Sequence, residues 1–394
     1  MNKPLIIIGA GLAGWTTARE FRKLDTTTPV LLITADNGDF YAKPSLSNAF
    51  AQKRGPAQLV TTPAAHMAQT LAVTLQAHTR VTGMDAAACV VHTRQGDFSY
   101  AQLVLATGAK AIQVPLAGDA SLEVLSVNSL DDYSVFHARA TAVNTGASGR
   151  KTQVLIMGAG LIGCEFANDL ASTGFAVTVV DPAASPMAAL LPSGAGAQLR
   201  DALSTHGVAW RFGTTVQSVN HTPDTASIKG ALTVQLSSGE TLAADVVLSA
   251  IGLRADVTLA QAAGLVCERG VVADAWLRTS SPHIYVLGDA AQYASAGGRT
   301  LPYVMPIMSA AKALAATLAG TPTEVVFPLM PVAIKTPALP IVVAAPAPGT
   351  LGAWRDVEAG LWHFYDATDM PLGFVLAGKH TSRRAEQSKL LAAA

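Results

Sequence analysis

Cysteine is scarce in this chain of 394 residues. Its three cysteines, Cys89, Cys164 and Cys267, are far apart and form neither a CxxC nor a CxxxxC pair. Neighbouring cysteines therefore cannot supply a zinc knuckle or a local redox disulfide. The nine histidines form no HExxH motif, and no GxSxG motif indicates a serine hydrolase. We expect the cysteines to be small core residues, and we expect no metal site.

Charge is also scarce, since only 14% of the residues are charged and 27 Lys and Arg balance 27 Asp and Glu. No excess of positive charge indicates a nucleic-acid partner. No run approaches the ~20 uninterrupted apolar residues of a membrane span, so we expect no membrane insertion and a cytoplasmic protein. The hydrophobic content of 50% can fill large cores, and the length suggests two or three domains.

The most informative motif is a glycine pattern, GxGxxG, which occurs in IGAGLAG at residues 8–14 and again in MGAGLIG at residues 157–163. Each copy follows an apolar run and precedes an Ala- and Leu-rich stretch, which predicts a buried parallel strand that turns into a helix. The first glycine allows a tight turn, the second lets the backbone approach a pyrophosphate, and the third lets helix and strand pack closely. These glycines are Gly9, Gly11 and Gly14, and then Gly158, Gly160 and Gly163.

An acidic residue follows each glycine pattern at the end of the next apolar run. Asp36 ends VLLITAD and Asp181 ends AVTVVD, each about 20 residues after its fingerprint, where a carboxylate can accept hydrogen bonds from the ribose hydroxyls of an adenosine. The alternative is that both acids lie in ordinary exposed turns, but that explanation must hold twice at the right distance. The sequence therefore predicts two dinucleotide-binding domains.

Three further apolar runs end in small residues, namely LVLATGA at 103–109, VVLSAIG at 246–252 and the IYVLGDA part of 279–293. Small residues at strand ends let a ligand approach the backbone closely, although ordinary core strands remain an alternative for each run alone. Asp289 follows the last run and is predicted at the carboxyl end of a strand, the edge where open α/β sheets bind ligands.

The order of these motifs, GxGxxG, ATG, a second GxGxxG and a final GD, resembles the flavoprotein reductases with two dinucleotide-binding domains. Four segments are similar to the rubredoxin-NAD reductases of alkane oxidation: YAKPSLSNAF (41–50), GAGLIGCEFANDL (158–170), LPYVMPIM (301–308) and VAIKTPALP (332–340). The resemblance implies an α/β fold with two Rossmann-like domains of the glutathione-reductase type and a small C-terminal α+β domain. It also implies FAD in the first nucleotide domain, NADH in the second, and rubredoxin as the protein partner.

The resemblance assigns site residues position by position. It implies FAD contacts at Gly9, Ala10, Gly11, Leu12, Ala13, Gly14, Thr34, Ala35, Asp36, Lys43, Val81, Ala106, Thr107, Asp289, Val304 and Lys335. It implies NADH contacts at Gly158, Gly160, Leu161, Ile162, Gly163, Asp181 and Gly252. The alternative for the two lysines is a solvated surface position.

Glu165 matches the carboxylate that related enzymes place between nicotinamide and flavin, and we interpret it and Lys43 as the catalytic candidates. One helical turn past the phosphate loop, Glu165 is predicted to face inward. The alternative is an acid favoured by the dipole at the start of the helix.

The chain departs from its relatives at FYAKPSLSNAF in two ways. Disulfide reductases carry a CxxxxC pair beside the flavin, and this region has no cysteine, so the flavin is expected to pass electrons directly to an external acceptor. Ferredoxin-reductase relatives often read RPPLSK here, whereas this chain has Lys43 in place of the Arg and Asn48 in place of the final Lys. We predict that Lys43 supplies the charge that Asn48 cannot.

These placements predict a discontinuous FAD-binding domain at 1–112 and 245–325, an NADH-binding domain at 113–244 and a C-terminal domain at 326–394. The predicted reaction is hydride transfer from NADH to FAD, followed by single-electron transfer to rubredoxin that serves an alkane hydroxylase.

Three alternatives stay open. A ferredoxin reductase would differ in its partner surface, and an NADH oxidase or peroxide reductase would need a cysteine near the flavin. A flavin-bearing redox-sensing module without turnover is the third, and the complete second fingerprint with Asp181 argues against it.

Rubredoxins are typically small and acidic, so a docking site on this neutral chain needs local positive charge. The candidate cations are Lys43, Lys53, Arg54, Lys379, Arg383, Arg384 and Lys389, with Glu386 as the acid within the C-terminal run. The alternative for the C-terminal run is a solvated helix face.

Overall fold

The computed structural model describes residues 3–144, 150–223 and 231–393. The chain forms two compact units. The first unit contains Met1–Lys43, Val60–Lys110 and Leu253–Met330, and the second contains Pro44–Leu59, Ala111–Gly252 and Pro331–Ala394. The predicted NADH-binding and C-terminal segments thus fall in one unit, together with residues 44–59. The division into three domains stays a prediction.

A five-stranded parallel sheet forms the centre of the first unit. Its strands, in sheet order, are Ile284–Val286, Gln102–Leu105, Leu5–Ile8, Val30–Ile33 and Thr74–Gln76. The fingerprint strand Leu5–Ile8 is central and fully buried. The neighbouring strand ends at Ile33, so Asp36 lies in the turn after the strand rather than at its last residue.

The remaining elements of the first unit surround this sheet. An antiparallel sheet contains Val81–Asp85, Val90–Thr93 and Gly96–Ser99, and short paired strands are Phe40–Tyr41 with Val60–Thr62 and Val271–Ala273 with Ala291–Tyr293. The α-helices are Leu12–Arg22, Ala64–Thr70, Thr258–Ala262 and Val304–Leu318, and short 3-10 turns are Gly288–Ala290 and Ala294–Ala296. Two further strands, Ala109–Ala111 and Leu253–Ala255, lie where the chain leaves the unit and where it returns.

The second unit repeats the same plan. Its parallel sheet has the order Leu125–Ser126, Val246–Ser249, Gln153–Met157, Ala176–Asp181 and Val208–Phe212, again with the fingerprint strand in the centre. Between the strands Val208–Phe212 and Val246–Ser249, the chain forms an antiparallel sheet of Val216–His221, Leu232–Leu236 and Thr241–Ala244. The helices are Pro56–Leu59, Leu130–Asn144, Leu161–Ser172 and Ser193–Thr205, and 3-10 turns are Lys43–Asn48 and Ser121–Glu123.

The C-terminal segment of the second unit forms an antiparallel sheet of five strands. Their order is Val332–Ile334, Ile341–Ala344, Pro371–Ala377, Leu361–Tyr365 and Ala353–Glu358. A 3-10 turn, Gly378–Arg383, and the helix Arg384–Ala393 follow. The predicted fold class, two Rossmann-like regions and a small C-terminal α+β region, is confirmed.

Candidate functional site

The first fingerprint loop connects the strand Leu5–Ile8 to the helix Leu12–Arg22. Gly9 has φ 107°, and a methyl group there would collide with the carbonyl of Ala106. A methyl group on Gly14 would collide with the carbonyl of Gly9. A methyl group on Gly11, in contrast, would meet no other atom within 4 Å. No side chain caps the helix Leu12–Arg22, and its first turn contains no acid. The loop therefore offers backbone N–H groups at a helix N-terminus, an arrangement that favours an anion.

The second fingerprint loop repeats this geometry between the strand Gln153–Met157 and the helix Leu161–Ser172. Gly158 has φ 101°, and a methyl group on it would press on the backbone of Ala250. A methyl group on Gly160 would meet no other atom within 4 Å. The helix Leu161–Ser172 has no side-chain cap at its start and no acid in its first turn. Both loops can thus accept a pyrophosphate.

The carboxylates of Asp36 and Asp181 are held differently. Asp36 accepts hydrogen bonds from the Thr34 hydroxyl at 2.6 Å and the Gly38 N–H at 3.0 Å, both within its own turn. Asp181 accepts one from the Ala159 N–H, inside the fingerprint loop, at 2.6 Å and one from the Ala183 N–H at 2.7 Å. The backbone of the phosphate loop therefore fixes Asp181 directly.

Several of the predicted FAD contacts meet in the first unit. The Gly9 backbone packs against the Ala106 carbonyl so closely that a methyl group on Gly9 would collide with it. A methyl group on Gly288 would lie 3.0 Å from the Ala13 Cβ, so the Asp289 turn packs against the fingerprint helix. The Thr107 hydroxyl donates to the Asp256 carbonyl at 3.1 Å. Val304 starts the helix Val304–Leu318, which reaches the fingerprint helix where the Thr16 hydroxyl contacts the Met308 sulfur at 3.9 Å. The remaining predicted residues in this unit are Ala10, Leu12, Ala35 and Val81.

Asp289 is a partly buried carboxyl in the short 3-10 turn Gly288–Ala290, which follows the strand Ile284–Val286. Burial raises its pKa, and the nearby charge of Lys43 acts in the opposite direction. The carboxyl oxygens of Asp289 are of the type that accepts hydrogen bonds from the hydroxyl groups of a ligand.

Glu165 lies at the centre of a polar cluster in the second unit and is only 1% exposed. Its carboxylate accepts the Ser47 hydroxyl at 2.6 Å and the Lys335 backbone N–H at 2.9 Å, and it forms a short ion pair with the Lys335 ammonium. The Lys335 ammonium also donates to the Ser47 hydroxyl at 2.9 Å. The inward orientation predicted for Glu165 agrees with this burial, and the cluster satisfies a buried charge that would otherwise be costly.

The cation that pairs with Glu165 is therefore Lys335. Lys335 was predicted as an FAD contact, but it lies in the second unit, whereas the other predicted FAD contacts lie in the first. Lys43 is exposed and acts electrostatically on Asp289. A role for Lys43 at the flavin stays a prediction.

The other predicted NADH contacts belong to the second unit. Leu161 and Ile162 form the first helical turn after Gly160. Gly252 has φ 113°, and its carbonyl accepts the Ile112 N–H at 3.0 Å.

Sequence reasoning missed three polar residues of this region: Ser47, Asn168 and Asp169. Asn168 and Asp169 are buried on the Glu165 helix, one turn further along. A signal was available in EFAND, because two polar residues three and four positions after Glu165 must share its face in a helix. For Ser47 nothing in the sequence distinguished it from a surface serine.

Of the three cysteines predicted as core residues, Cys164 is buried, whereas Cys89 and Cys267 are half-buried. All three are free, and Cys164 is buried with its thiol against the Ala159 carbonyl at 3.3 Å. Burial raises the pKa of Cys164, which keeps it protonated and unreactive. Within residues 3–144, 150–223 and 231–393 no cluster of three metal-ligating side chains occurs. In the same residues no helix combines the length and apolar character needed to cross a bilayer.

Comparison with known families places two matches on this chain. Residues 3–316 match the pyridine nucleotide-disulphide oxidoreductase family, and residues 324–391 match a domain described as the rubredoxin binding C-terminal domain.

Individual relatives match over nearly the whole chain. A rubredoxin-NAD(+) reductase from Alcanivorax borkumensis is 43% identical over 99% of each chain. A nitric oxide reductase FlRd-NAD(+) reductase from Aeromonas salmonicida is 40% identical over 97% of this chain and 95% of its own. Among solved structures, the ferredoxin reductase for the CYP199A2 system from Rhodopseudomonas palustris is 27% identical, with a TM-score of 0.84 over 97% of this chain and 94% of its own.

Proposed function

This chain belongs to the pyridine nucleotide-disulphide oxidoreductase family, and from that premise we propose that it is an FAD-dependent NADH:rubredoxin oxidoreductase. One observation carries the proposal: a single chain combines two complete dinucleotide fingerprints with a C-terminal segment of the rubredoxin-binding type. A chain with only one fingerprint would bind one nucleotide, and a chain without the C-terminal segment would lack the feature that selects this acceptor.

FAD fits the residues of the first unit. The open position above Gly11 and the uncapped helix start leave space and N–H donors for a pyrophosphate. We infer that Asp36 accepts hydrogen bonds from the adenosine ribose hydroxyls and that Asp289 accepts them from the ribitol hydroxyls. Bound FAD would supply the redox chemistry, since a flavin accepts two electrons as a hydride and releases them singly.

NADH fits the second unit by the same argument. The Gly158–Gly160 loop offers the pyrophosphate site, and Asp181, fixed by the Ala159 and Ala183 N–H groups, offers an acceptor to the ribose. A 2′-phosphate at that position would face the Asp181 carboxylate, so NADPH is disfavoured. In the Glu165 cluster, Lys335 and Ser47 hold the Glu165 carboxylate in one orientation, and we infer that it acts on the nicotinamide end of the cofactor.

The absence of cysteine from residues 40–50 bears on the acceptor. A disulfide reductase needs a cysteine pair in this segment to receive electrons, and here Ser47 occupies the segment and donates to Glu165. A one-electron protein carrier such as rubredoxin needs no cysteine on the reductase. The same reasoning disfavours an NADH oxidase or peroxide reductase.

The finer parts of the proposal follow from the resemblance. Residues 1–112 with 245–325 hold FAD, 113–244 hold NADH and 326–394 dock the acceptor. We further propose that the reduced rubredoxin serves an alkane hydroxylase and that the protein works in the cytoplasm, where the NADH pool is held. The name of the Aeromonas relative, a nitric oxide reductase FlRd-NAD(+) reductase, points to a second acceptor worth testing.

The test is NADH oxidation assayed side by side with rubredoxin, a [2Fe–2S] ferredoxin and oxygen as acceptors. We expect turnover with rubredoxin to exceed turnover with the other two at least tenfold. Faster reduction of ferredoxin would favour the ferredoxin-reductase alternative. Failure of NADH to bleach the yellow protein under anaerobic conditions would make the chain a flavin module without turnover.

A further inference from the structure

One face of the helix Leu161–Ser172 carries three buried polar side chains. Glu165, Asn168 and Asp169 are 1%, 4% and 1% exposed, and their spacing of three and four residues places them side by side. Residues of these types are seldom fully buried unless they have partners. Their partners therefore indicate what this face is for.

Asn168 and Asp169 bind backbone groups rather than side chains. The two carboxylate oxygens of Asp169 accept the Phe50 N–H at 3.0 Å and the Ala51 N–H at 2.8 Å. The amide oxygen of Asn168 accepts the Ala338 N–H at 3.0 Å. Each residue thus fixes the main chain of a segment that is distant in sequence.

The two fixed segments are the ones that complete the Glu165 cluster. Ser47 lies about one turn before the Phe50–Ala51 pair that Asp169 holds, and Lys335 lies the same distance before Ala338. Both segments therefore have two points of attachment to one helix, one at Glu165 and one a turn further along. A segment attached only at Glu165 could pivot, and a displacement of about 1 Å at a reacting centre can cost about 100-fold in rate.

We propose that Asn168 and Asp169 are positioning residues that hold the segments carrying Ser47 and Lys335, and thereby fix the geometry of the Glu165 carboxylate. The proposal rests on the proposed function in one respect, that the Glu165 cluster serves the oxidation of NADH.

Charged and titratable groups surround this attachment. Lys335 and Tyr133 interact electrostatically with Asp169, and His137 stacks on Phe50, the residue whose N–H Asp169 accepts. The assays are therefore made at one fixed pH, where the side chain of Asp169 is ionised.

The first measurement does not depend on catalysis. Hydrogen exchange of residues 44–54 and 332–340, together with acetylation of Lys335, is compared between wild type and the variants Asn168→Ala and Asp169→Ala. We expect Asn168→Ala to speed exchange of the 332–340 segment and modification of Lys335, and Asp169→Ala to speed exchange of the 44–54 segment. The exposed Asp201, on another helix of the same unit, provides the control Asp201→Asn.

The second measurement is the limiting rate of flavin bleaching by NADH in stopped flow. We expect Asn168→Ala and Asp169→Ala to lower this rate about 10- to 100-fold with little change in the NADH concentration for half-saturation. Asn168→Asp keeps an oxygen acceptor for the Ala338 N–H and should recover most of the rate. In a Glu165→Gln background the further change Asn168→Ala should slow the reaction less than about twofold, because residues that act through one group are not additive.

The results separate the two hypotheses. Unchanged exchange in both segments, or effects of Asn168→Ala and Glu165→Gln that multiply, would overturn the positioning role even if the wild-type protein reduces rubredoxin. If NADH does not reduce the wild-type flavin, the proposed function fails, and the exchange and acetylation measurements still decide whether these residues hold the two segments. Asp169→Asn, which is nearly isosteric, replaces Asp169→Ala if the latter does not fold.

Discussion

The helices that follow the two fingerprints begin alike and then differ. The helix Leu12–Arg22 of the first unit buries Trp15, Ala18 and Phe21 in an apolar core. The helix Leu161–Ser172 of the second unit buries Glu165, Asn168 and Asp169, which bind segments distant in sequence. The glycine pattern thus determines the loop that receives a pyrophosphate, whereas the helix residues after it determine what the helix is joined to.

The largest expected effect comes from exchanging the third glycine of each fingerprint. A methyl group on Gly14 or on Gly163 would overlap the carbonyl of Gly9 or Gly158, and neither backbone can move away without opening the loop. We expect Gly14→Ala to yield protein nearly free of FAD, and Gly163→Ala to keep FAD but lose at least ~100-fold in reduction by NADH, a cost of about 3 kcal/mol.

FAD content from the visible spectrum and stopped-flow bleaching measure the two outcomes. Gly55→Ala is the control, because its added methyl group would lie in open space with only Gln58 nearby. A glycine with a positive φ, such as Gly207 at 90°, would not serve, since alanine is strained there. Loss of FAD from both fingerprint variants would contradict the assignment of one cofactor to each loop.

The buried Asp169 of the second unit should make stability depend on pH. Burial raises its pKa from the ordinary value of 3.8 to about 6, although hydrogen bonds from Ala51 and Phe50 oppose the shift. The folded state then binds the proton more tightly than the unfolded state, so this contribution is present below about pH 4 and is lost as pH rises through about 6. We expect the loss to reach about 2 to 3 kcal/mol in the free energy of unfolding.

Asp169→Asn should remove that pH dependence, and the measurement is the melting temperature of both proteins between pH 4 and pH 8. The quantity compared is the slope of the melting temperature against pH, because the variant also changes a hydrogen bond of Asp169 at every pH. Parallel curves for wild type and variant would show that Asp169 does not titrate in this range. Asp201→Asn, on the surface, should leave the slope unchanged.

Asp289, the partly buried carboxyl of the first unit, should act on ligand affinity instead. It differs from Asp169 in being partly exposed rather than fully buried, so a ligand can reach it. Asp289→Ala should therefore weaken FAD binding by about 1.5–3 kcal/mol, the usual contribution of a hydrogen bond to a charged group. Titration of FAD into the apoprotein measures this, and an unchanged dissociation constant would remove Asp289 from the site.

The acids Asp181 and Asp36 extend the comparison to cofactor choice. Asp181→Ala removes the ribose acceptor and two hydrogen bonds to backbone N–H groups, so the KM for NADH should rise about tenfold and the preference over NADPH should narrow. Adding an Arg nearby should raise the use of NADPH further.

Asp36→Ala should weaken the binding of FAD and leave the KM for NADH unchanged in the protein that retains flavin. Equal catalytic efficiency of the unmodified protein with NADH and NADPH would refute this assignment.

Sequence reasoning identified the two glycine loops, the central strands and the order of the fold because these depend on local patterns. Gly9 and Gly158 need a positive φ that only glycine adopts freely, and the strands Leu5–Ile8 and Gln153–Met157 are apolar because both faces are covered. The Glu165 cluster could not be found in this way. Ser47 and Lys335 are far from Glu165 in sequence, and only the tertiary fold brings the three together. Lys43 and Lys335 were both predicted FAD contacts, and no local pattern indicated that Lys335 would be the one to pair with Glu165.

The smallest expected effect concerns two adjacent arginines of the C-terminal segment. Sequence alone made Arg383 and Arg384 equal candidates for docking an acidic protein. In the structure Arg383 bridges Glu358 and Glu386, whereas Arg384 is exposed and forms no ion pair within the described residues. A cation already compensated by two carboxylates adds little to the field that attracts a partner.

Arg384→Gln should therefore slow rubredoxin reduction about twofold at low salt, while Arg383→Gln should change the rate less, consistent with the 0–1 kcal/mol typical of exposed charges. Stopped-flow rates across ionic strength measure both, with bleaching by NADH as the internal control that neither change should affect. The difference should vanish at high salt because exposed charges are screened there. Equal slowing by both changes would mean that pairing within the chain does not decide which cations dock the partner, and no slowing by either would direct the search to Lys53 and Arg54.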